Sequence, residues 1–248
     1  MKSRGETSNQ GGGMPARPGQ QRRRGNALGL PSTGKPGLAY VLPFVLFLGL
    51  TAAAQYLPDW AHLLYIAKIL LVAALLWCWR PVFRPDFARR LPPHEMLLAG
   101  GAGLLVLAAW ILPENIFPRL PGDTPFNPYS FGISPLAAQV LILVRLAGAV
   151  VVVPFMEELF WRSFLLRYLI HPDFTRVSLG AFGWFSFAAV VLLFGTEHHR
   201  WIQGILAGLV YTGLVIRQKS LRGCVVAHGV TNLGLGLYVV ATDSWHFW

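Results

Sequence analysis

The sequence predicts an all-α protein: a polytopic transmembrane helical bundle of seven or eight spans, preceded by a disordered basic N-terminal tail. Three observations carry that prediction. Hydrophobic residues make up 54% of the 248 and charged residues only 13%, a balance typical of chains that cross a bilayer repeatedly. Apolar runs of ~20 residues recur along the chain, each closed by proline, an acid or a basic cluster. The net charge of +10 is uneven: Lys2, Arg4, Arg17, Arg22, Arg23, Arg24 and Lys35 stand against Glu6 alone, so more than half of it lies in residues 1–36.

That tail is rich in Gly, Arg, Gln and Pro and lacks the apolar residues needed to build a core. A basic segment before a first span acts as a positive-inside determinant and can touch anionic lipid. Once the charge is located there, no nucleic-acid partner is required to explain it. The first predicted span covers about Gly37 to Leu57 and closes at Pro58-Asp59. The second covers about Trp60 to Trp79 and contains Lys68, expected to snorkel along its own stem. Arg80, Arg84, Arg89 and Arg90 mark a basic loop. A third span runs from about Met96 to Leu112. A Pro-rich loop follows, Pro113 to Ser134, with Glu114 and Asp123 against Arg119 alone.

The apolar stretch from Pro135 to Ile170 is too long for one perpendicular span at ~1.5 Å per residue. It must tilt, kink near Pro154 or project from the bilayer, and an eighth span arises if Pro154 divides it. Spans at about Gly180 to His198, Trp201 to Ile216 and Cys224 to Thr242 complete the set, with Arg217, Lys219 and Arg222 in a basic loop. Alternation of basic and acidic loops places the N-terminus inside and the C-terminus outside. Three regions result: residues 1–36, the tail; 37–134, a three-span region; and 135–248, which carries the polar residues discussed next. Cys78 and Cys224 form no CxxC pair and are expected to be buried, apolar thiols.

Within the third region, Glu157 and Glu158 are adjacent in an apolar run, although the whole chain holds only eleven Asp and Glu. A charged side chain in a bilayer costs at least ~2.5 kcal/mol on insertion scales, so the pair marks function. Glu158 and Arg162 are four apart and can pair on one helix face. Glu157 points ~100° away and is left free to act as a base. Two further clusters are Phe194-Gly195-Thr196-Glu197-His198-His199 and the pair His228 and Asn232, four apart on one face. Singly, each has a structural reading as an ion pair, turn residues or interhelical hydrogen bonds. Together they suggest hydrolysis, by one of two routes. Glu157, helped by His198, can deprotonate a water that attacks a peptide carbonyl, while His228 and Asn232 donate to the oxyanion. Alternatively Glu157, His198 and His228 ligate Zn²⁺, which activates the water. The absence of HExxH and the presence of Asn232 favour the route with no cofactor. A non-catalytic membrane scaffold, or a proton or solute transporter, would use the same cluster differently.

The three clusters resemble the CAAX-protease and bacteriocin-processing family of intramembrane proteases, which includes the eukaryotic Ras-converting CAAX endopeptidase. The family pattern EExxxR, FxxxH, HxxxN reads here Glu157-Glu158…Arg162, Phe194…His198 and His228…Asn232. The resemblance implies an endopeptidase acting on a membrane-delivered peptide or protein tail, with Glu157 and His198 activating water and His228 and Asn232 forming the oxyanion site. Glu158, Arg162 and Phe194 would be supporting residues. The C-terminal stretch from His228 to Trp248 is similar to a bacterial subgroup that accompanies exosortase and PEP-CTERM sorting systems. That similarity implies a bacterial inner membrane and exosortase-system proteins as partners. One geometric difficulty follows: the predicted topology puts His198 toward the outer end of its span and His228 toward the inner face. Glu157 can meet both only if the span ending at His198 is short, strongly tilted or re-entrant.

Overall fold

The computed structural model describes Met1, residues 37–122 and residues 125–248. The tail expected to be disordered, and Asp123, lie outside the described residues. What is described is helical throughout, with no strand, and residues 37–248 fall within one compact unit.

Seven long helices follow in order: α1 (Gly37–Tyr56), α2 (Ala61–Phe83), α3 (Pro93–Ile111), α4 (Pro135–Tyr168), α5 (Trp184–Thr196), α6 (Trp201–Gln218) and α7 (Leu221–Thr242). Five stretches are long and apolar enough to cross a membrane: α1, α2 with its flanking turns, α3, α4 and α7. Their outward faces carry large apolar side chains such as Val45, Leu70, Leu105, Leu143 and Leu237, as a lipid-facing surface requires. Helix α5 has only 13 residues. At ~1.5 Å per residue it is ~20 Å long, well short of a ~30 Å hydrocarbon core.

Local chemistry sets several boundaries. Ser134 caps α4 by accepting from the Ala137 N–H at 3.3 Å, with Pro135 at the first helical position. Ser220 accepts from the Arg222 N–H and opens α7 three residues earlier than the apolar run suggests. Helix α4 stays continuous through Pro154, so the proline does not divide it. Instead α4 contains two π-helical stretches, Gly148–Val152 and Leu159–Leu165.

The two ends of the bundle are distinct. At the basic end the α2–α3 and α6–α7 connections are tied together. Gln218 Nε2 donates to the Glu95 carbonyl at 2.9 Å, Arg222 Nε donates to that of Phe87 at 2.8 Å, and Arg89 bonds the Gln218 carbonyl. At the other end the Leu112–Ser134 loop meets the α5–α6 turn through Leu120 N–H to His199 O at 2.8 Å. It meets the C-terminus through Phe126 N–H to Trp248 O at 3.0 Å.

Small residues allow the close helix contacts. A Cβ on Gly103 of α3 would collide with the Ala227 carbonyl and Val230 of α7. One on Gly204 of α6 would lie 2.9 Å from the Gly195 carbonyl of α5. The α5–α6 hairpin is therefore tight beside the site.

Two side chains depart from expectation. Cys224 is buried as expected, but Cys78 is exposed on α2, because its position falls on the outward face. Lys68 does not snorkel. It is buried, its Nζ donates to Thr51 Oγ1 at 2.8 Å, and it lies over the Phe47 ring at 4.1 Å and the Tyr65 ring at 4.9 Å. The hydroxyl and two aromatic faces replace the headgroup contact that snorkelling would supply.

Candidate active site

Helices α4, α5, α6 and α7 each present polar side chains to a common interior. A cavity of about 190 Å³ is lined by Glu157, His198, His228 and Asn232, together with Phe194, Tyr211, Thr231 and Trp110. Residues from three separate stretches of sequence thus line one cavity. The depth difficulty is met by the shortness of α5: a 13-residue helix ends within reach of residues that a full span would carry past.

Glu158 and Arg162 form the pair that their spacing predicts, Arg162 Nη1 donating to Glu158 Oε1 at 3.1 Å, with both side chains fully buried. The same oxygen also accepts from His228 Nδ1 at 2.9 Å. A carboxylate oxygen can only accept, so Nδ1 carries the proton and Nε2 is the ring atom left for the cavity. The His228 ring stacks on Tyr211, with centroids 5.0 Å apart and planes at 20°. Tyr211 in turn donates to Thr231 Oγ1 at 2.8 Å. One carboxylate therefore orients both a guanidinium and an imidazole.

Glu157 behaves differently. Glu158 Oε2 and Glu157 Oε2 are both buried without a partner, but Glu158 is held through its Oε1, whereas Glu157 lines the cavity and makes no hydrogen bond among the described residues. A buried acceptor of this kind demands a donor, which a water or a substrate group can supply.

His198 Nδ1 donates to the Phe194 carbonyl at 2.8 Å, which again leaves Nε2 open. Trp110 packs edge-on against its ring at 5.3 Å. Phe194 is the hub of the aromatic shell. The Arg162 guanidinium carbon lies 4.1 Å from its ring centroid, and the rings of His198, Trp161, Tyr211 and His228 all contact it.

Asn232 is held by a defect in α4. The Val153 N–H bonds the Gly148 carbonyl five residues back, in π register. The next residue, Pro154, has no N–H. The Ala149 carbonyl consequently lacks a donor from either residue, and Asn232 Nδ2 donates to it at 2.7 Å. That bond uses one of the two amide protons, so the second remains for the cavity.

Three neighbours were not singled out by the sequence. Trp161 Nε1 donates to Glu197 Oε2 at 3.0 Å and braces the α5–α6 turn. Tyr211 sits four residues past Ala207 on the small-residue face of α6, the only sequence signal it offered. Trp110 closes the cavity from the end of α3.

The candidate zinc ligands Glu157, His198 and His228 line the cavity but do not form a cage. Among the described residues, no three His, Cys, Asp or Glu side chains are grouped to hold a metal ion.

A wider chamber of about 570 Å³ adjoins the cavity at the loop end and shares Trp110, Ala149, Val153, His198, Phe247 and Trp248 with it. Its walls include Lys68, Arg145, Glu197, His199, Arg200 and His246.

Residues 139–234 match the family model described as Type II CAAX prenyl endopeptidase Rce1-like. The matched segment contains all three motifs and excludes α1 to α3. No curated protein and no solved structure gives a significant match. The family match supports the CAAX-protease and bacteriocin-processing family and a CAAX-type endopeptidase activity. With the apolar helices, it marks the chain as an integral membrane protein.

Proposed function

We propose that the chain is an intramembrane endopeptidase that hydrolyses a peptide bond in a membrane-delivered peptide or protein tail, with Glu157 as the general base. The observation that carries the reading is the convergence of Glu157, His198, His228 and Asn232 on one cavity. Glu157 takes a proton from a water held in the cavity between its carboxylate and the open Nε2 of His198. The hydroxide attacks the scissile carbonyl as the proton transfers to the carboxylate. Base catalysis of this kind is worth ~10²–10⁴ in rate.

The oxyanion is met by the second Asn232 N–H and by His228. Because His228 Nδ1–H is committed to Glu158, Nε2 can donate only when the ring is an imidazolium. In that state the Glu158 carboxylate, which bonds both Arg162 and His228, lies directly against the charge on the ring. Collapse of the tetrahedral intermediate expels the amine, which takes the proton stored on Glu157. The enzyme requires no metal on this reading. The exosortase-type partners and the bacterial inner membrane implied by the C-terminal stretch are part of the same proposal.

The test is cleavage of candidate tail peptides by the detergent-purified protein. Glu157→Ala and His228→Ala are expected to lose turnover by at least ~100-fold while keeping the helical signal. Turnover in excess chelator, by protein shown free of zinc by elemental analysis, is the expected result for the metal-free route. Cleavage by none of the forms, with solute flux dependent on Glu157 in vesicles, would replace the protease by a transporter. Loss of folding alone would reduce the cluster to helix packing.

A further inference from the structure

The larger chamber contains two cations with no carboxylate partner among the described residues. Lys68 uses one of its three donors on Thr51 and is otherwise surrounded by rings. The Arg145 guanidinium carbon lies 4.9 Å from the Tyr65 ring centroid, 4.3 Å from that of Phe126 and 5.1 Å from that of Trp248. None of its N–H groups donates to a protein acceptor among the described residues. The aromatic rings take up the guanidinium surface and leave the donor fork available in the chamber. That fork matches a carboxylate in two parallel hydrogen bonds. Lys68 and Arg145 share the Tyr65 ring, so both charges act on one region. Among the described residues Glu197 is the one acidic side chain lining this chamber, and its Oε2 already accepts from Trp161.

The position of Arg145 relative to Glu157 supplies the second argument. Arg145, Ala149, Val153 and Glu157 follow one another at four-residue steps along α4. Ala149 and Val153 line both the chamber and the catalytic cavity. The stripe forms a continuous floor between the two. In a regular α-helix four-residue steps drift around the axis, and the π stretch at Gly148–Val152 offsets that drift.

Building on the hydrolytic reading above, we propose that Lys68 and Arg145 form a subsite for the free C-terminal carboxylate of the substrate chain. Twelve residues of helix separate Arg145 from Glu157, roughly 18 Å at ~1.5 Å per residue. An extended peptide covers ~3.3–3.6 Å per residue. The bond cut therefore lies about five residues from the carboxyl terminus, and the product released is a short C-terminal peptide.

The experiment uses tail peptides made in pairs, as free acids and as C-terminal amides, with the full chain in phosphatidylcholine nanodiscs. Wild type is expected to favour the acid by at least about tenfold in kcat/KM. In Arg145→Gln the acid-to-amide ratio is expected to fall to about one, and in Lys68→Met to fall partway. The ratio is internal to each preparation, so partial misfolding does not alter it. A wild-type ratio near one, or a ratio kept by both variants, overturns the proposal. If no peptide of either form is cleaved, binding of the same pairs to Glu157→Gln decides. Tighter binding of the acid, lost on adding Arg145→Gln, keeps the subsite and rejects the hydrolytic reading. Equal binding, or none, rejects the subsite. A lipid phosphate offers the same chemistry, so the pairs are repeated with phosphatidylglycerol in the nanodiscs. A ratio that survives supports a peptide end, and one that collapses assigns the cations to lipid.

Discussion

Glu157 and Glu158 show how one residue of helical phase separates two chemical roles. Glu158 Oε1 is bound by Arg162 and His228, while Glu157 lines the cavity and makes no hydrogen bond among the described residues. Their neutral variants should therefore diverge. Glu158→Gln removes the carboxylate from a buried guanidinium and should cost ~3–5 kcal/mol, read as a lower thermal midpoint in detergent. Glu157→Gln removes an unpaired buried charge, so its midpoint should hold or rise while turnover is lost. A Glu157→Gln variant that unfolds as early as Glu158→Gln would place Glu157 in the structural network. The Glu158–Arg162 pair was legible in the sequence because four-residue spacing fixes it locally. The His228–Glu158 bond joins residues 70 apart in the chain, and no spacing encodes it. Tyr211 and Trp161 were equally hidden, since a buried aromatic in an apolar helix looks like any other packing residue.

At the scale of the element, α4 depends on an interrupted ladder of hydrogen bonds. Pro154→Ala restores an N–H that can serve the carbonyls one turn earlier and compete with Asn232 for Ala149. The expected outcome is unchanged or higher stability with a lower kcat, because Asn232 loses the bond that orients it. A thermal scan and single-turnover rates on the same sample check both halves. At the α3–α7 contact, Gly103→Ala puts a methyl group into the Ala227 carbonyl and should destabilise by ~1–3 kcal/mol. Helix positions were largely legible, because long apolar runs ending at proline or basic clusters define them within a few residues. The π stretches were not: they change the hydrogen-bond register without disturbing a uniformly apolar pattern. Lys68 was misjudged for a related reason. Its sequence shows an apolar helix around it, but the Thr51 hydroxyl and Phe47 ring that hold it belong to another helix.

For the molecule as a whole, the loop end is closed by charge. Glu114 bonds His246 and forms ion pairs with Arg119 at 3.2 Å and Arg200 at 3.5 Å, linking the loop, the α5–α6 turn and the C-terminus. Partial burial pushes the Glu114 carboxyl up, but His246, Arg200 and Arg119 together outweigh it and hold its pKa below the usual glutamate value. A lowered folded-state pKa means the stabilisation is present above the unfolded value of ~4.3 and is lost as pH falls through the folded one. The group is partly solvated, so the effect should stay under ~1 kcal/mol. Hydrogen exchange at residues 244–248 should rise below about pH 4 in wild type, and be already raised at neutral pH in Glu114→Gln. A C-terminus equally protected in both would show that its apolar contacts suffice. The shortness of α5 reaches beyond the protein itself. Trp184, Phe185, Leu192 and Leu193 offer lipid an apolar belt narrower than the surrounding membrane. Acyl chains beside it must compress to avoid exposing themselves, and a substrate arriving there meets a locally thinned bilayer. Turnover should accordingly depend on tail length in the host lipid, rising in nanodiscs of shorter-chain phosphatidylcholine even when headgroup and protein are the same.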